Sequence, residues 1–183
     1  DVNFDPDGTD LHTSNGLGDA FVTKLGLDGS YGWTKTFGGT SWEVGNTIAF
    51  DADENMYVSG SFWSANVDFD MNGGTDLRSS AGADDIYISK YASDGSYLWT
   101  KTGGDTGSTQ SVYSMAVSEA GDVYVTGVYT DTVDFDFGAG TTTLSSPTGM
   151  AAFVAKYNDD GEFSWVRKLS RTTLSGPYPK QIA

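Results

Sequence analysis

Short runs of apolar and β-branched residues, each closed by Gly, Asp or Ser, fill this chain from end to end. In its middle third, Ile86-Tyr87-Ile88-Ser89-Lys90-Tyr91 predicts a strand, Ser93-Asp94-Gly95-Ser96 a turn, and Tyr97-Leu98-Trp99-Thr100-Lys101-Thr102 the returning strand. After a loop with Gly103, Gly104 and Gly107 come Val112-Tyr113-Ser114-Met115-Ala116-Val117 and Val123-Tyr124-Val125-Thr126-Gly127-Val128-Tyr129, a second hairpin around Glu119-Ala120-Gly121-Asp122. Two successive hairpins predict a four-stranded antiparallel meander. Both faces of its strands are apolar: Phe21, Tyr87 and Phe153 are equivalent, and their neighbours Val22, Ile88 and Val154 point the other way. A sheet wetted on one side alternates cleanly, whereas one clamped between two similar sheets is apolar on both.

The pattern repeats. Trp33, Trp99 and Trp165 are spaced 66 residues apart, as are Gly29, Gly95 and Gly161, and Lys24, Lys90 and Lys156. Val67-Asp68-Phe69-Asp70 returns as Val133-Asp134-Phe135-Asp136 and is preceded by Val2-Asn3-Phe4-Asp5. A fixed period over several copies marks a repeat architecture whose units bury their faces against each other. The expected fold is all-β: a β-propeller of about three consecutive four-stranded antiparallel blades, incomplete at both ends, with the recurring Trp filling the gaps between blades. The repeats fall at 1–66, 67–132 and 133–183, the last truncated, since Gln181-Ile182-Ala183 aligns with Thr47-Ile48-Ala49 inside a strand. Blades usually need about 40–50 residues. The surplus, Val67 to Asp84, predicts an extra hairpin linking blades, with Leu77 equivalent to Leu11 and Leu144.

Composition then narrows the function. The 25 acidic residues are 21 Asp and 4 Glu against 10 basic residues, a net charge of −15. Asp favours turns and oxygen-rich cation sites, and so acidic a surface repels nucleic-acid backbones. Without cysteine there is neither a disulfide nor a thiolate site. No apolar run reaches the length of a membrane span.

Asp68-Phe69-Asp70-Met71-Asn72-Gly73 matches the opening D-x-D-x-N-G of a Ca²⁺ loop, with Asp76 as a further oxygen. The first copy offers Asp5 and Asp7. Ca²⁺ is the one cofactor this pattern points to. However, Ser79 stands where a closing Glu belongs and Gly138 replaces Asn72 in the third copy. The competing expectation is a β-turn whose Asp and Asn side chains cap their own backbone. Trp42 and Trp63 do not repeat, aligning near Ser108 and with Thr130. Singular Trp residues on loops are candidates to stack on a sugar or a protein partner, against plain loop packing. No catalytic residue is expected: the carboxylate pairs, such as Asp84-Asp85 and Asp159-Asp160, are turn residues, and the lone His12 lies in a linker. Lys24, Lys90 and Lys156 are expected to pair with the Asp excess.

Asp19-Ala20-Phe21-Val22-Thr23-Lys24-Leu25 with Asp28-Gly29 and Trp33, then Ile48-Ala49-Phe50-Asp51 with Asn55-Met56-Tyr57-Val58-Ser59-Gly60, resemble the bacterial β-propeller repeat called SBBP, and more loosely the NHL type. Val133 to Thr141 resembles that family's inter-blade segment, while Arg171 to Lys180 departs from the pattern. The resemblance implies a large secreted or cell-surface bacterial protein whose repeats bind or scaffold and carry no catalytic residues. The expected function is a non-enzymatic extracellular module for protein or glycan binding, with further blades of the same parent protein as neighbours. A structural subunit of a surface assembly and a polysaccharide-acting hydrolase or lyase are the alternatives.

Overall fold

A computed structural model describes residues 1–169. The departing segment Arg171 to Lys180 and the alignment at Gln181-Ile182-Ala183 lie outside the described residues. Within them the chain is all strand and turn, in fourteen strands. Leading are the short hairpin β1 (Val2–Asn3) and β2 (Leu11–His12) and the longer one β3 (Ala20–Leu25) and β4 (Tyr31–Phe37). Next come β5 (Glu43–Phe50), β6 (Met56–Phe62), the short pair β7 (Val67–Asp68) and β8 (Leu77–Arg78), then β9 (Asp85–Tyr91) and β10 (Tyr97–Gly103). The last four are β11 (Gln110–Val117), β12 (Val123–Asp134), β13 (Thr143–Tyr157) and β14 (Phe163–Leu169).

Two four-stranded antiparallel sheets result, ordered β10-β9-β6-β5 and β11-β12-β13-β14, with β3-β4 as a two-stranded sheet before them. This is the expected blade architecture, a β-propeller-like fragment, but the strands group differently. The meander expected from β9 to β12 is split, because β10 and β11 belong to different sheets. Hairpins are specified locally by turns such as those at Gly29, Gly95 and Gly161, all at positive φ (83°, 86° and 71°). Which two hairpins then pair is decided over distance. Seven residue pairs from Met56↔Tyr91 to Phe62↔Asp85 join β6 to β9 without a register break, while the Gly104–Thr109 loop carries the chain to the next sheet. Sequence repeat and sheet are thus out of phase.

The extra hairpin is accordingly not a link between blades along the chain. It is inserted within a blade, between the second and third strands. In the last copy it is continuous with the sheet, Val133 pairing with Leu144 and Asp134 with Thr143. The matching pairs are Val67↔Arg78 and Asp68↔Leu77, so Leu77 corresponds to Thr143 rather than Leu144.

Two apolar clusters flank the first complete sheet. On one face Val58, Phe62, Tyr87 and Tyr91 pack with Ala20, Val22 and Phe37 of the leading hairpin. On the other, Tyr57, Ile86 and Ile88 pack with Val125, Phe153, Ala155 and Tyr157 of the second sheet. Alternation along β6 and β9 sends successive side chains to opposite clusters, which is why all seven residues of each strand are buried. Trp33 and Trp99 are half-buried, one at each of these junctions. A side chain on Gly161, in the β13–β14 turn, would press on the Trp99 ring, and Trp99 Nε1 donates to Asp159 O at 3.1 Å.

Candidate functional site

Trp63 N–H donates to Trp42 O at 3.0 Å, one step beyond the Glu43↔Phe62 pair that ends the β5–β6 ladder. The two non-repeating Trp residues therefore lie opposite each other at the open end of one hairpin. The matching bond in the next sheet, Thr130 N–H to Thr109 O at 2.9 Å, shows that Trp42 corresponds to Thr109, one residue beyond the expected Ser108, and Trp63 to Thr130. Trp42 is 51% exposed and Trp63 half-buried. A parallel bridge joins Trp42 to Gly18 at the edge of the leading hairpin. A Cβ on Gly18 would meet the indole at 2.7 Å, so a glycine there lets the ring lie flat on backbone. Leu17, beside it, is also exposed.

The inserted hairpins hold the acidic candidates. Asp68 Oδ1 accepts from the backbone N–H of Asp70 (3.1 Å) and Asp76 (2.9 Å), and Asp70 Oδ1 from that of Asn72 (2.9 Å). Asp134 repeats the first pattern toward Asp136 (3.0 Å) and Thr142 (2.8 Å). In the first copy the neutral Asn3 does the same work, accepting from Asp5 (3.3 Å) and Asp10 (2.8 Å), while Asp5 accepts from Asp7 (3.0 Å). Asp7 itself is exposed. Asp76 is bound by Tyr97 Oη and by Arg78, 2.9 Å away. Asn72 donates to Gly95 O (2.6 Å) and accepts from Lys35 Nζ (3.0 Å) on β4. These are the bonds of self-capping turns. Among the described residues, no group of three or more His, Cys, Asp or Glu side chains is arranged to hold a metal.

Lys90 is a polar centre that the repeat pattern indicated only as a Lys expected to pair. Only 5% exposed, it lies between the two complete sheets. Its ammonium pairs with Asp159 in the β13–β14 turn and, at 3.6 Å, with Asp51 in the β5–β6 turn. It sits 5.0 Å from the centre of the Tyr57 ring, and Tyr57 Oη donates to Asp159 at 2.7 Å. Burial pushes both carboxyls up, yet they end below the ordinary Asp range. For Asp51 the bonds from Asn55 and Tyr57 outweigh burial; for Asp159 those from Lys90 and Tyr57 do. Lys156 pairs with Asp122 at 2.7 Å, whereas Lys24 faces an open cleft of about 490 Å³ lined by Trp33, Ile48 and Phe50.

Sequence reasoning passed over a second buried group. Asp85 (3% exposed) and Gln110 (0%) lie where the first sheet meets the second. Their preceding equivalents are Asp19 and Glu43. The available signal was a polar residue at the apolar phase of β11, matching Glu43 on β5. The remaining candidates for acid–base work are occupied: Asp84 is buried at the same junction, and His12 bridges Asp10 (3.1 Å) and Thr36 (3.3 Å).

With the blades defined, comparison with known proteins adds one relation. No protein family matches the chain. Over an alignment of 165 positions that covers 84% of the chain, it is 27% identical to the uncharacterized WD repeat-containing protein L264 of Acanthamoeba polyphaga mimivirus. The chain spans 12% of that protein's length. A distant repeat-protein relative agrees with the propeller-like sheets; it is viral and says nothing of the bacterial SBBP type. Among the described residues no helix is long and apolar enough to cross a membrane.

Proposed function

We propose that this chain is part of a non-enzymatic, propeller-type protein-interaction module whose partner contacts the rim at Trp42 and Trp63. The observation that carries this reading is the exposed Trp42, laid on the Gly18 backbone where the following copy has Thr109. A packing residue would recur in each blade; a singular, half-exposed indole held against backbone is the chemistry of an interface anchor. The distant WD repeat relative supports an interaction module. The SBBP-like residues support a bacterial protein acting outside the cell, with a protein or a glycan as partner. Probing protein and glycan arrays with the wild-type chain and with Trp42→Ala tests it. The expected result is a specific signal that the variant loses; equal signals, or none, would refute it.

A structural role alongside binding is favoured by a separate observation. Leu25, Ile48 and Phe50 are each about half exposed on the open cleft, and Phe21 is half exposed on the other face of β3, beside Phe4. In the two complete sheets the matching positions are covered by a neighbour. Further blades, from the same parent protein, are the cover these faces fit. The polysaccharide-acting alternative has less support, since the Asp84–Asp85 pair is buried between sheets rather than placed across a cleft.

A further inference from the structure

Asp85 Oδ2 accepts the Ala81 backbone N–H at 2.7 Å. Its Oδ1 is buried with no hydrogen-bond partner, and so is Gln110 Oε1. Gly104, just after β10, borders both: a Cβ there would collide with both oxygens, so they face the same narrow space. Two buried acceptors facing each other leave both unsatisfied unless a proton lies between. Turning the Gln110 amide over satisfies Asp85 only if the Ser108 hydroxyl gives up Asp105 O. Ser108 Oγ donates its one proton to Asp105 O at 2.8 Å and therefore accepts from Gln110 Nε2. A turned amide would draw that proton away, leaving Asp105 O with only the Ser108 N–H at 3.2 Å.

We propose that the junction between the two complete sheets is closed by a proton, carried by the Asp85 carboxyl and donated to Gln110 Oε1, and that it loosens as the pH rises from mildly acidic to alkaline. The charged groups around Asp85 all favour the neutral acid. Asp84, its neighbour at the start of β9, and Asp105, in the loop after β10, both raise its pKa. From β11, Gln110 and Ser111 bring no charge, and from the loop before β9 the contact is a backbone N–H. Burial, the larger cause, together with these charges pushes the Asp85 carboxyl up to about 6. A carboxyl raised above its unfolded value stabilises the fold fully below that value, near pH 4, and loses this contribution as the pH climbs through about 6. A bound cation in place of the proton is disfavoured, since two oxygens fall well short of the six to eight Ca²⁺ takes.

The test is a pH titration of the wild-type chain labelled at Asp Cγ, followed by carbon NMR, with thermal melts of wild type and Asp85→Asn from pH 4.5 to 8. One Asp resonance, absent in the variant, is expected to titrate near pH 6, and the wild-type Tm to fall on the order of 5 °C across the window. In Asp85→Asn the amide supplies the donor permanently, so its Tm stays flat and exceeds wild type at pH 8. An Asp85 resonance titrating below pH 4.5 would overturn the proposal, as would one whose midpoint moves with Ca²⁺ at constant ionic strength. If the variant does not fold, the wild-type titration, with Asp85 assigned through its backbone, decides alone.

Discussion

The first complete sheet has two neighbours and treats them differently. Against the second sheet it is sealed: Phe153, Tyr157 and Ala155 are buried, the Gly161 backbone leaves no room for a Cβ over Trp99, and Lys90, Asp51, Tyr57 and Asp159 form one network. Cross-sheet bonds from Asn46 Nδ2 to Val112 O (2.7 Å) and from Met115 N–H to Thr47 Oγ1 (3.2 Å) tie β5 to β11. Against the leading hairpin the same kinds of residue stand apart. Ile48, the equivalent of the buried Met115, is 48% exposed, and Trp33 lines a cleft instead of lying under a turn. The difference comes from strand number. Four strands present a face broad enough to cover a neighbour; β3 and β4 supply half of one. What stabilises a blade is thus mainly the blade beside it, the behaviour of a repeat whose units contact only their neighbours.

The sharpest way to break this comparison is to truncate equivalent aromatic residues. Phe153 packs at 4.6 Å from Phe135 and 6.3 Å from Tyr129, centre to centre, and is fully buried. Phe153→Ala is expected to cost about 3–5 kcal/mol, and Phe21→Ala about 1 kcal/mol or less. Urea melts of both variants measure it; equal losses would mean that the outer face of the leading hairpin is covered as well as the sealed junction.

Lys90→Met comes next. It keeps the buried stem but leaves Asp51, 6% exposed, without its cation. Asp51 retains bonds from Asn55 (2.9 Å) and Tyr57 (3.2 Å), so the loss is expected at about 1–3 kcal/mol, against about 0.5 kcal/mol or less for Lys24→Met. The acid side of the stability curve checks the mechanism. Asp51 and Asp159 are held below the ordinary Asp value, so their contribution is present above about pH 4 and lost as the pH falls further. The variant's acid transition should therefore be shallower than that of wild type. The sign is opposite to that of Asp85 across the same junction.

Trp99 and Trp42 separate stability from recognition. Trp99→Ala removes the ring beneath Gly161 and is expected to cost about 2–3 kcal/mol. Trp42→Ala, on the rim, is expected to change stability by about 1 kcal/mol or less while abolishing partner binding. Melts beside binding assays separate the two. A Trp42 variant as unstable as the Trp99 one would make Trp42 a packing residue and remove the basis for the proposed interface.

How much of this was legible in the chain differs by level. Strands, turns and two-faced burial followed from local pattern, since Val58 and Tyr57, or Tyr87 and Ile88, announce opposite apolar faces by alternation alone. The phase of the sheets did not follow. The turn at Gly95 fixes β9 against β10, but nothing local distinguishes β9 pairing with β6 from β10 pairing with β11; that choice depends on a seven-pair ladder across a 22-residue insertion. The site was partly readable. The singularity of Trp42 and Trp63 showed in the repeat, but their adjacency needed the ladder. The Lys90 network needed Asp159, which lies 69 residues away in sequence. Gln110 was hidden because an amide in a strand looks like an exposed position.

The smallest expected effect bears on the acidic hairpins. Asp68 binds two backbone N–H groups through one oxygen, and Asn3 makes the same two bonds with an amide oxygen. Asp68→Asn preserves that acceptor and removes only a charge. If the turn is self-capped, the variant should melt within about 0.5 kcal/mol of wild type, and neither protein should respond to millimolar Ca²⁺ or to EDTA. If the carboxylates are ligands, wild type should gain stability with Ca²⁺ by mass action and the variant should lose that gain. A Ca²⁺-dependent Tm in wild type alone would make Asp68, Asp70 and Asp76 a cation site and separate the second and third hairpins from the first, where a neutral amide already holds the same turn.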